Sequence, residues 1–349
     1  MATVYPLIEG NYLHDILDQP DALRRTMATK VPAEFAALAE SWRASSQRPF
    51  VVLTGMGSSF YALHPIAIRL GESGVRAVML ETSELIYYWS EMLQPDTLLI
   101  VVSQSGRSAE IVRLLELNRG RSPLIAVTND PKSPLATAAN IAFPLEAGEE
   151  STVSCKTYVA SLLALDRIAK TLCLESGEGL DDSSARVADA VEEYLSNWRE
   201  RVDEAQDCLR GVRHIVLTGR GPSLASAGTG GLIIKEAARF PAEGMSAAAF
   251  RHGPLEMVNP SLFLLLFEGD SRSAAMNRRL ASDVAGFGGR TQLVSEQNEI
   301  RLFRLAKTSA PLRPVLEILP VQMMTLALAA REGREAGAFV HASKITSID

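Results

Sequence analysis

Residues 97–118 read TLLIVVSQSGRSAEIVRLLELN. The first seven, TLLIVVS, are apolar without alternation, the pattern of a strand buried on both faces. SQSGRS (103–108) is small and polar, and AEIVRLLELN (109–118) then carries its apolar residues at helical spacing. Strand, tight loop and helix in this order form half of a βαβ unit, and the pattern continues on either side. PFVVLTG (49–55) is a buried strand that leads through a Gly/Ser turn into an amphipathic helix near 59–71. RAVMLE (76–81) is the next strand, followed by a helix through Leu85 and Tyr88; PLIAVTN (123–129) and the short IAFPL (141–145) are two more. Apolar strands alternating with helices predict a doubly wound α/β domain, a parallel sheet with helices on both faces.

From about 155 to 209 the pattern is purely helical. YVASLLALDRIAKTLC fits one amphipathic helix, a Gly/Asp/Ser break covers 177–184, and ARVADAVEEYLSNWRERVDEAQDCL fits a second, polar helix; the pair reads as a bridge. Then the first pattern returns. IVLTGRGPS (215–223) echoes VVLTGMGSS (51–59), LFLLLFEGD (262–270) takes the place of LLIVVSQSG (98–106), and TQLVSE (291–296) echoes PLIAVTND (123–130). Chance yields one such echo but not the ordered series, so a whole domain is repeated. The expected organisation is a helical lead-in over 1–45, a first α/β domain over 46–176, a helical linker over 177–210, a second α/β domain over 211–335 and a tail over 336–349.

Composition narrows the function. With 349 residues, 47% hydrophobic and 22% charged, each half can bury a core of its own. The net charge of -6, with the two signs interspersed and no basic run, gives no sign of a nucleic-acid partner. Cys155, Cys173 and Cys208 are odd in number and lack metal-ligand spacing, against both a disulfide framework and a zinc site. The opening MATVYPLIEGNYLHD lacks the basic-then-apolar order of a signal peptide, and runs such as LFLLLF (262–267) are too short to cross a bilayer. The expected location is the cytoplasm, with no membrane partner.

Two loops suit an anion. GMGSS (55–59) and SQSGRS (103–108) both leave the C-terminal end of a parallel strand and enter a helix, where such sheets bind ligands. Three hydroxyls, a carboxamide and backbone N–H groups at 103–108 make a phosphate cradle that needs no lysine. One Gly/Ser turn is commonly a plain turn or cap; two in one sheet point to a ligand.

The ordered motifs carry a resemblance. GMGSS, ETSE (81–84), SQSG-S and AGEE-x-x-V-S-C-K (147–156) resemble the SIS (sugar isomerase) domain family, with its flavodoxin-like fold. Lys235-Glu236, then AEG (242–244), FRHGP (250–254) and the tail ASKITSID (342–349) resemble the isomerase half of glucosamine-6-phosphate synthase and its stand-alone relatives. The opening DILDQPDALRRT (15–26) resembles that family's lead-in, so the likeness covers nearly the whole chain. It implies that Ser58, Ser59, Ser103, Gln104, Ser105 and Ser108 hold a sugar phosphate, with Ser154 near the sugar. It implies Glu236 as the proton-shuttling base, His252 as the ring-opening group contributed across a homodimer interface, Lys344 as a tail lysine that reacts with the open-chain carbonyl, and Glu243 as a further acid. Taken alone, Glu236 beside Lys235 is an ordinary solvated helix pair, His252 a turn residue and Lys344 a plain tail lysine; family order assigns them roles. The residue types fit: histidine titrates near neutrality, a desolvated carboxylate becomes a useful base, and a lysine amine forms imines.

Departures are visible too. No cysteine is placed to hydrolyse glutamine, Ile233 stands where the synthase has a lysine, and Arg107 replaces an acidic residue. The expected activity is therefore a hexosamine 6-phosphate isomerase/deaminase that needs no metal or organic cofactor. The rivals are a deglycase of 6-phosphorylated sugar–amino acid adducts, with more room beside Ile233, and a non-catalytic sugar-phosphate sensor. The second repeat ends its strand in Glu268-Gly269-Asp270, so only the first copy is expected to seat phosphate.

Overall fold

The computed structural model describes residues 7–45, 49–174, 180–341 and 344. The chain divides into two compact units. An amino-terminal unit is built from Asp21–Glu149 and Lys156–Ser184; a carboxy-terminal unit takes the stretch ending at Pro20, the segment Glu150–Cys155 and Ala185–His341.

The amino-terminal unit holds a five-stranded parallel sheet: β1 (Phe50–Gly55), β2 (Arg76–Glu81), β3 (Thr97–Val102), β4 (Leu124–Thr128) and β5 (Ile141–Pro144), in the order β2-β1-β3-β4-β5. β3 is buried along its whole length, as its unbroken apolar run requires. One face of the sheet, through Val52, Leu99, Val101 and Ala126, packs on Leu85, Ile111, Leu114 and Leu135 of the connecting helices. Helix Lys156–Leu172, the first of the bridging pair and within the expected first domain, is part of this unit: it is almost entirely buried and packs against helices Glu34–Ser45 and His64–Glu72. Its amphipathic pattern hid how far burial goes, because its polar residues pair internally. Asp166, 6% exposed, meets Arg69 at 2.5 Å and Lys170 at 2.7 Å.

The carboxy-terminal unit repeats the plan with four parallel strands: β6 (His214–Gly219), β7 (Ala242–Ser246), β8 (Leu262–Phe267) and β9 (Arg290–Val294), in the order β7-β6-β8-β9. This is the order of β2-β1-β3-β4, so the sequence echoes mark equivalent strands. Val216, Leu264 and Leu266 form a core with Phe250, Leu280 and Val284. Helix Leu224–Ala238 presses onto β7 so closely that only glycine fits: a Cβ on Gly244 would lie 1.9 Å from the Ala227 carbonyl oxygen. Helix Arg313–Arg331 packs against both Leu224–Ala238 and Trp198–Cys208. Ala310–Arg331 is long and apolar enough to cross a membrane, but 94% of its apolar window is buried in the protein, and it serves as a core helix.

The polar helix expected after residue 184 is two helices, Leu180–Ser196 and Trp198–Cys208. The chain breaks at Asn197 (φ -113°, ψ 33°), whose amide donates to the Ser196 hydroxyl. Asparagine competes with the helix for local hydrogen bonds, which a pattern of apolar spacing does not register. The first of the two starts at Leu180, inside the expected Gly/Asp/Ser break.

Candidate functional site

In the amino-terminal unit the two anion-type loops leave neighbouring strands, with Gly55 of β1 in register with Val102 of β3. The sheet order reverses there, which is where doubly wound sheets open a crevice. The loop 103–108 is pinned from below. The Gln104 carbonyl accepts from Asn129 N (3.0 Å) and Thr128 Oγ1 (3.2 Å), and Ser103 Oγ accepts from Gly106 N at 3.1 Å. Gly106 sits at φ +63°, and a Cβ there would fall 2.3 Å from Ser133 Oγ, so the turn requires glycine.

Several polar groups of this seat are left unspent. Ser58 is 7% exposed, and its hydroxyl has no hydrogen-bond partner among the described residues. Ser108 is the N-cap of helix Ala109–Asn118, yet its side chain caps nothing. The Ser59 hydroxyl and the Gln104 carboxamide also make no hydrogen bond among the described residues. Burying a hydroxyl without a partner costs of order 1–3 kcal/mol, and these groups are spare for a further hydrogen bond. Ser105 Oγ accepts only a long bond from Arg107 N, 3.4 Å. Arg107 itself is ion-paired to Asp130, with Nε on the Ser105 carbonyl (3.4 Å), so it braces the loop.

Next to this turn, Phe60, Tyr61 and His64 form an aromatic group, with the Tyr61 and His64 rings stacked at 10°. Burial pushes His64 down to about 4, so it is neutral near pH 7 and structural.

The carboxy-terminal unit holds Glu236, Glu243, His252 and Ser154, while Lys344 groups with the amino-terminal unit. Glu236 is half-buried in the last turn of helix Leu224–Ala238, and Lys235 beside it is exposed. Glu236 shares its surroundings with two groups that the motifs did not single out. Tyr12 is fully buried, and Thr325 Oγ1 lies 3.5 Å from its phenol oxygen. Burial, then the negative field of Cys155, Glu236 and Glu150, holds that phenol well above its ordinary range. Glu150 is 4% exposed and accepts from Cys155 N at 2.9 Å, which fixes the segment carrying half-buried Ser154. Tyr12, Glu150 and Glu236 thus form one neighbourhood. The AGEE motif contained the signal for Glu150; nothing in the spacing marked Tyr12.

His252 ends helix Ala247–Arg251, ahead of Gly253 at φ +148°. It is exposed, and its ring makes no hydrogen bond or ion pair with the described residues of its own chain. Glu243 is exposed on edge strand β7, and Ile233 is fully buried in helix Leu224–Ala238, where it packs in the interior. Beyond His341 only Lys344 is described, half-buried; the other residues of the expected tail lie outside the described residues. Among the described residues no three His, Cys, Asp or Glu side chains gather as metal ligands.

The second copy of the seat is occupied from within. Ser223, counterpart of Ser59, donates to Glu317 Oε1 at 2.7 Å, and Ser226 donates to Oε2 at 2.8 Å. Glu268 pairs with Arg278, and Asp270 with Arg272. Its hydroxyls and acids are therefore committed to the fold.

The chain resembles known proteins over most of its length. The glutamine–fructose-6-phosphate aminotransferase [isomerizing] of Pyrococcus horikoshii is 27% identical over 345 residues, covering 93% of this chain and 56% of that protein. The chain thus spans about half the length of the curated relatives it matches. Among solved structures, the C-terminal domain of glucosamine-fructose-6-phosphate aminotransferase from Francisella tularensis superposes with a TM-score of 0.80, at 19% identity over 97% of this chain and 98% of that one. Glucosamine-6-phosphate deaminase from Thermotoga maritima gives 0.77, at 18% identity over 97% and 100%. The SIS domain family matches residues 46–170 and 208–330, one match on each repeated half. On that double match, the chain belongs to the SIS domain family.

Proposed function

We propose that the chain is a phosphosugar isomerase acting on a hexosamine 6-phosphate, with release of ammonia. The observation that carries this is the seat at 57–59 and 103–108, whose Ser58 hydroxyl is buried with no partner while Ser59, Gln104 and Ser108 stand unspent. A phosphate monoester offers the acceptors these groups lack, and the free N-terminus of helix Ala109–Asn118 favours its charge. Ser103 and Ser105 shape the loop, and Ser154 contacts the sugar.

The chemistry follows from the candidate groups. His252 protonates the ring oxygen while the C1 hydroxyl proton leaves, and the aldehyde opens. Glu236 removes the proton from C2 and returns it to C1, while the C1 oxygen takes up a proton and the amine gives one up, so that C1 becomes an alcohol and C2 an imine. Water adds at C2 and ammonia departs, leaving the ketose phosphate. Lys344 engages the open-chain carbonyl. The buried Tyr12 phenol and the Glu150 carboxylate set the field in which Glu236 works. The exposed, unengaged His252 supports a homodimer in which it serves a neighbouring copy, and the exposed Tyr87, Tyr88 and Trp89 offer apolar surface for association. Three cysteines that form no disulfide among the described residues support a reducing compartment, the cytoplasm. The relatives' names support amino-sugar chemistry.

The test is to incubate the protein with glucosamine 6-phosphate and assay ammonia and fructose 6-phosphate together. The proposal expects them in equal amounts. A free amino acid from fructoselysine 6-phosphate, with no ammonia from any hexosamine phosphate, would assign the deglycase activity instead. Binding without turnover would assign a sensor.

A further inference from the structure

A second binding site, away from every residue assigned above, lies in the carboxy-terminal unit. It is a cavity of about 290 Å³ between helices Leu180–Ser196, Trp198–Cys208 and Arg313–Arg331 and the segment 301–306. Its floor is apolar, made by Leu305, Leu316 and Leu319. Leu316 and Leu319 point to a different side of their helix from Glu317 and Val321, which face Ser223 and Gly230. The cavity is therefore separate from the Glu317 cluster.

Its walls carry three guanidinium groups, Arg201, Arg301 and Arg304, against one acid, Glu193. Arg301 is neutralised by Glu200 at 2.9 Å. The other two have no carboxylate partner among the described residues. Arg304 is held by backbone carbonyls alone, Nε on Asn298 (2.6 Å) and Nη2 on Glu299 (2.8 Å). Arg201 lies over the Tyr194 ring at 4.1 Å, and Tyr194 is in turn fixed by donating to the Leu302 carbonyl at 2.6 Å. The Arg201 Nε is buried and has no hydrogen-bond partner among the described residues, while Nη1 makes one long bond to the Asn197 carbonyl, 3.3 Å. Two preorganised guanidinium groups, one with a buried orphan donor, thus stand over an apolar floor.

We propose that this cavity binds a small organic anion: a compact apolar body on the leucine floor, with a phosphate or carboxylate head on Arg201 and Arg304. Guanidinium forks match planar oxyanions, and fixing them beforehand removes the ordering cost of binding. The cavity volume lies at the lower end of small-ligand pockets, which favours a single-ring compound over a dinucleotide.

The probe is phenyl phosphate, titrated by calorimetry, with benzoate as the carboxylate arm. With the 103–108 seat saturated by glucose 6-phosphate, saturable one-to-one binding is expected in the unaltered protein, and Arg304→Gln or Arg201→Gln should each weaken it about tenfold or more by removing a charge-assisted bond. Ser105→Ala should leave it unchanged, because Ser105 belongs to the other seat. No binding of either probe at millimolar concentration would overturn the proposal, as would full binding by Arg304→Gln or loss of binding in Ser105→Ala. Arg304 is exposed, so its replacement leaves a folded protein even where Arg201→Gln does not.

Discussion

Replacing Glu317 by glutamine should change how stability depends on pH. Glu317 is fully buried and holds two serine hydroxyls at 2.7 and 2.8 Å. Burial pushes its carboxyl up to about 7, against the pull of the Ser223 and Ser226 hydrogen bonds and the Arg313 charge, from an ordinary value near 4.5. The folded state thus keeps a proton that the unfolded state gives up. Below pH 4.5 both states hold it, and the carboxyl imposes no penalty. Between 4.5 and about 7 stability falls as pH rises, at about 1.4 kcal/mol per pH unit, and above about 7 the full penalty is present. Over that interval the loss amounts to about 3 kcal/mol. Glutamine has nearly the same shape and no charge, so Glu317→Gln removes the slope. His64, held down at about 4, works in the opposite sense, losing stability as pH falls below its ordinary 6.5. It is unchanged in the variant and cancels in the difference. The assay is urea unfolding at pH 4.5, 5.5, 6.5 and 8, followed by Trp198, the one tryptophan of the carboxy-terminal unit, with Trp42 and Trp89 replaced by phenylalanine. Variant minus parent stability should rise by about 3 kcal/mol from the lowest to the highest pH. A difference that stays flat would refute the reasoning.

Three other outcomes follow from named contacts. Gly244→Ala should cost about 3 kcal/mol or more in thermal unfolding, because its Cβ meets the Ala227 backbone at 1.9 Å, whereas Gly286→Ala, with open space around it in a helix, should stabilise by about 0.5–1 kcal/mol. Asp166→Asn should destabilise by about 3 kcal/mol, because it leaves Arg69 and Lys170 nearly buried without their shared anion, and chemical denaturation of the variant checks it. Ser58→Ala should leave the melting temperature of the free protein unchanged or slightly raised, since the hydroxyl has no partner to lose, yet weaken glucose 6-phosphate binding about tenfold in calorimetry.

Much of this molecule is legible in its sequence, for reasons that vary by element. β3 and β8 announce themselves because TLLIVV and LFLLLF are apolar on both faces, and only a covered parallel sheet accommodates that. The repeat is legible because the turns after β1 and β6 share the LTG-x-G pattern, which the geometry requires. The serines of the loop 103–108 are legible in the sequence, but which of their hydroxyls stand unspent is a matter of burial and partners. Arg107 shows this: in sequence it is a charge beside a phosphate loop, and in the fold its partner Asp130 lies 23 residues on. Glu317 was invisible for a related reason. A single acid in RPVLEILPVQMM looks like a surface position, and its satisfaction by Ser223 and Ser226 comes from residues more than ninety positions away. Tyr12 joins Glu150 and Glu236 only through the fold, since the stretch ending at Pro20 groups with the carboxy-terminal unit.

The central claim is that Glu236 carries a proton between adjacent sugar carbons. Its most direct measurement is proton NMR of glucosamine 6-phosphate incubated with the protein in deuterium oxide. The account predicts that the C2 proton signal is lost as ammonia forms and that this proton appears at C1 of the ketose phosphate, solvent deuterium taking its place only in part, with no such loss in Glu236→Gln although the sugar phosphate still binds. A C2 proton that persists with the unaltered protein, or exchanges equally fast with Glu236→Gln, would contradict it.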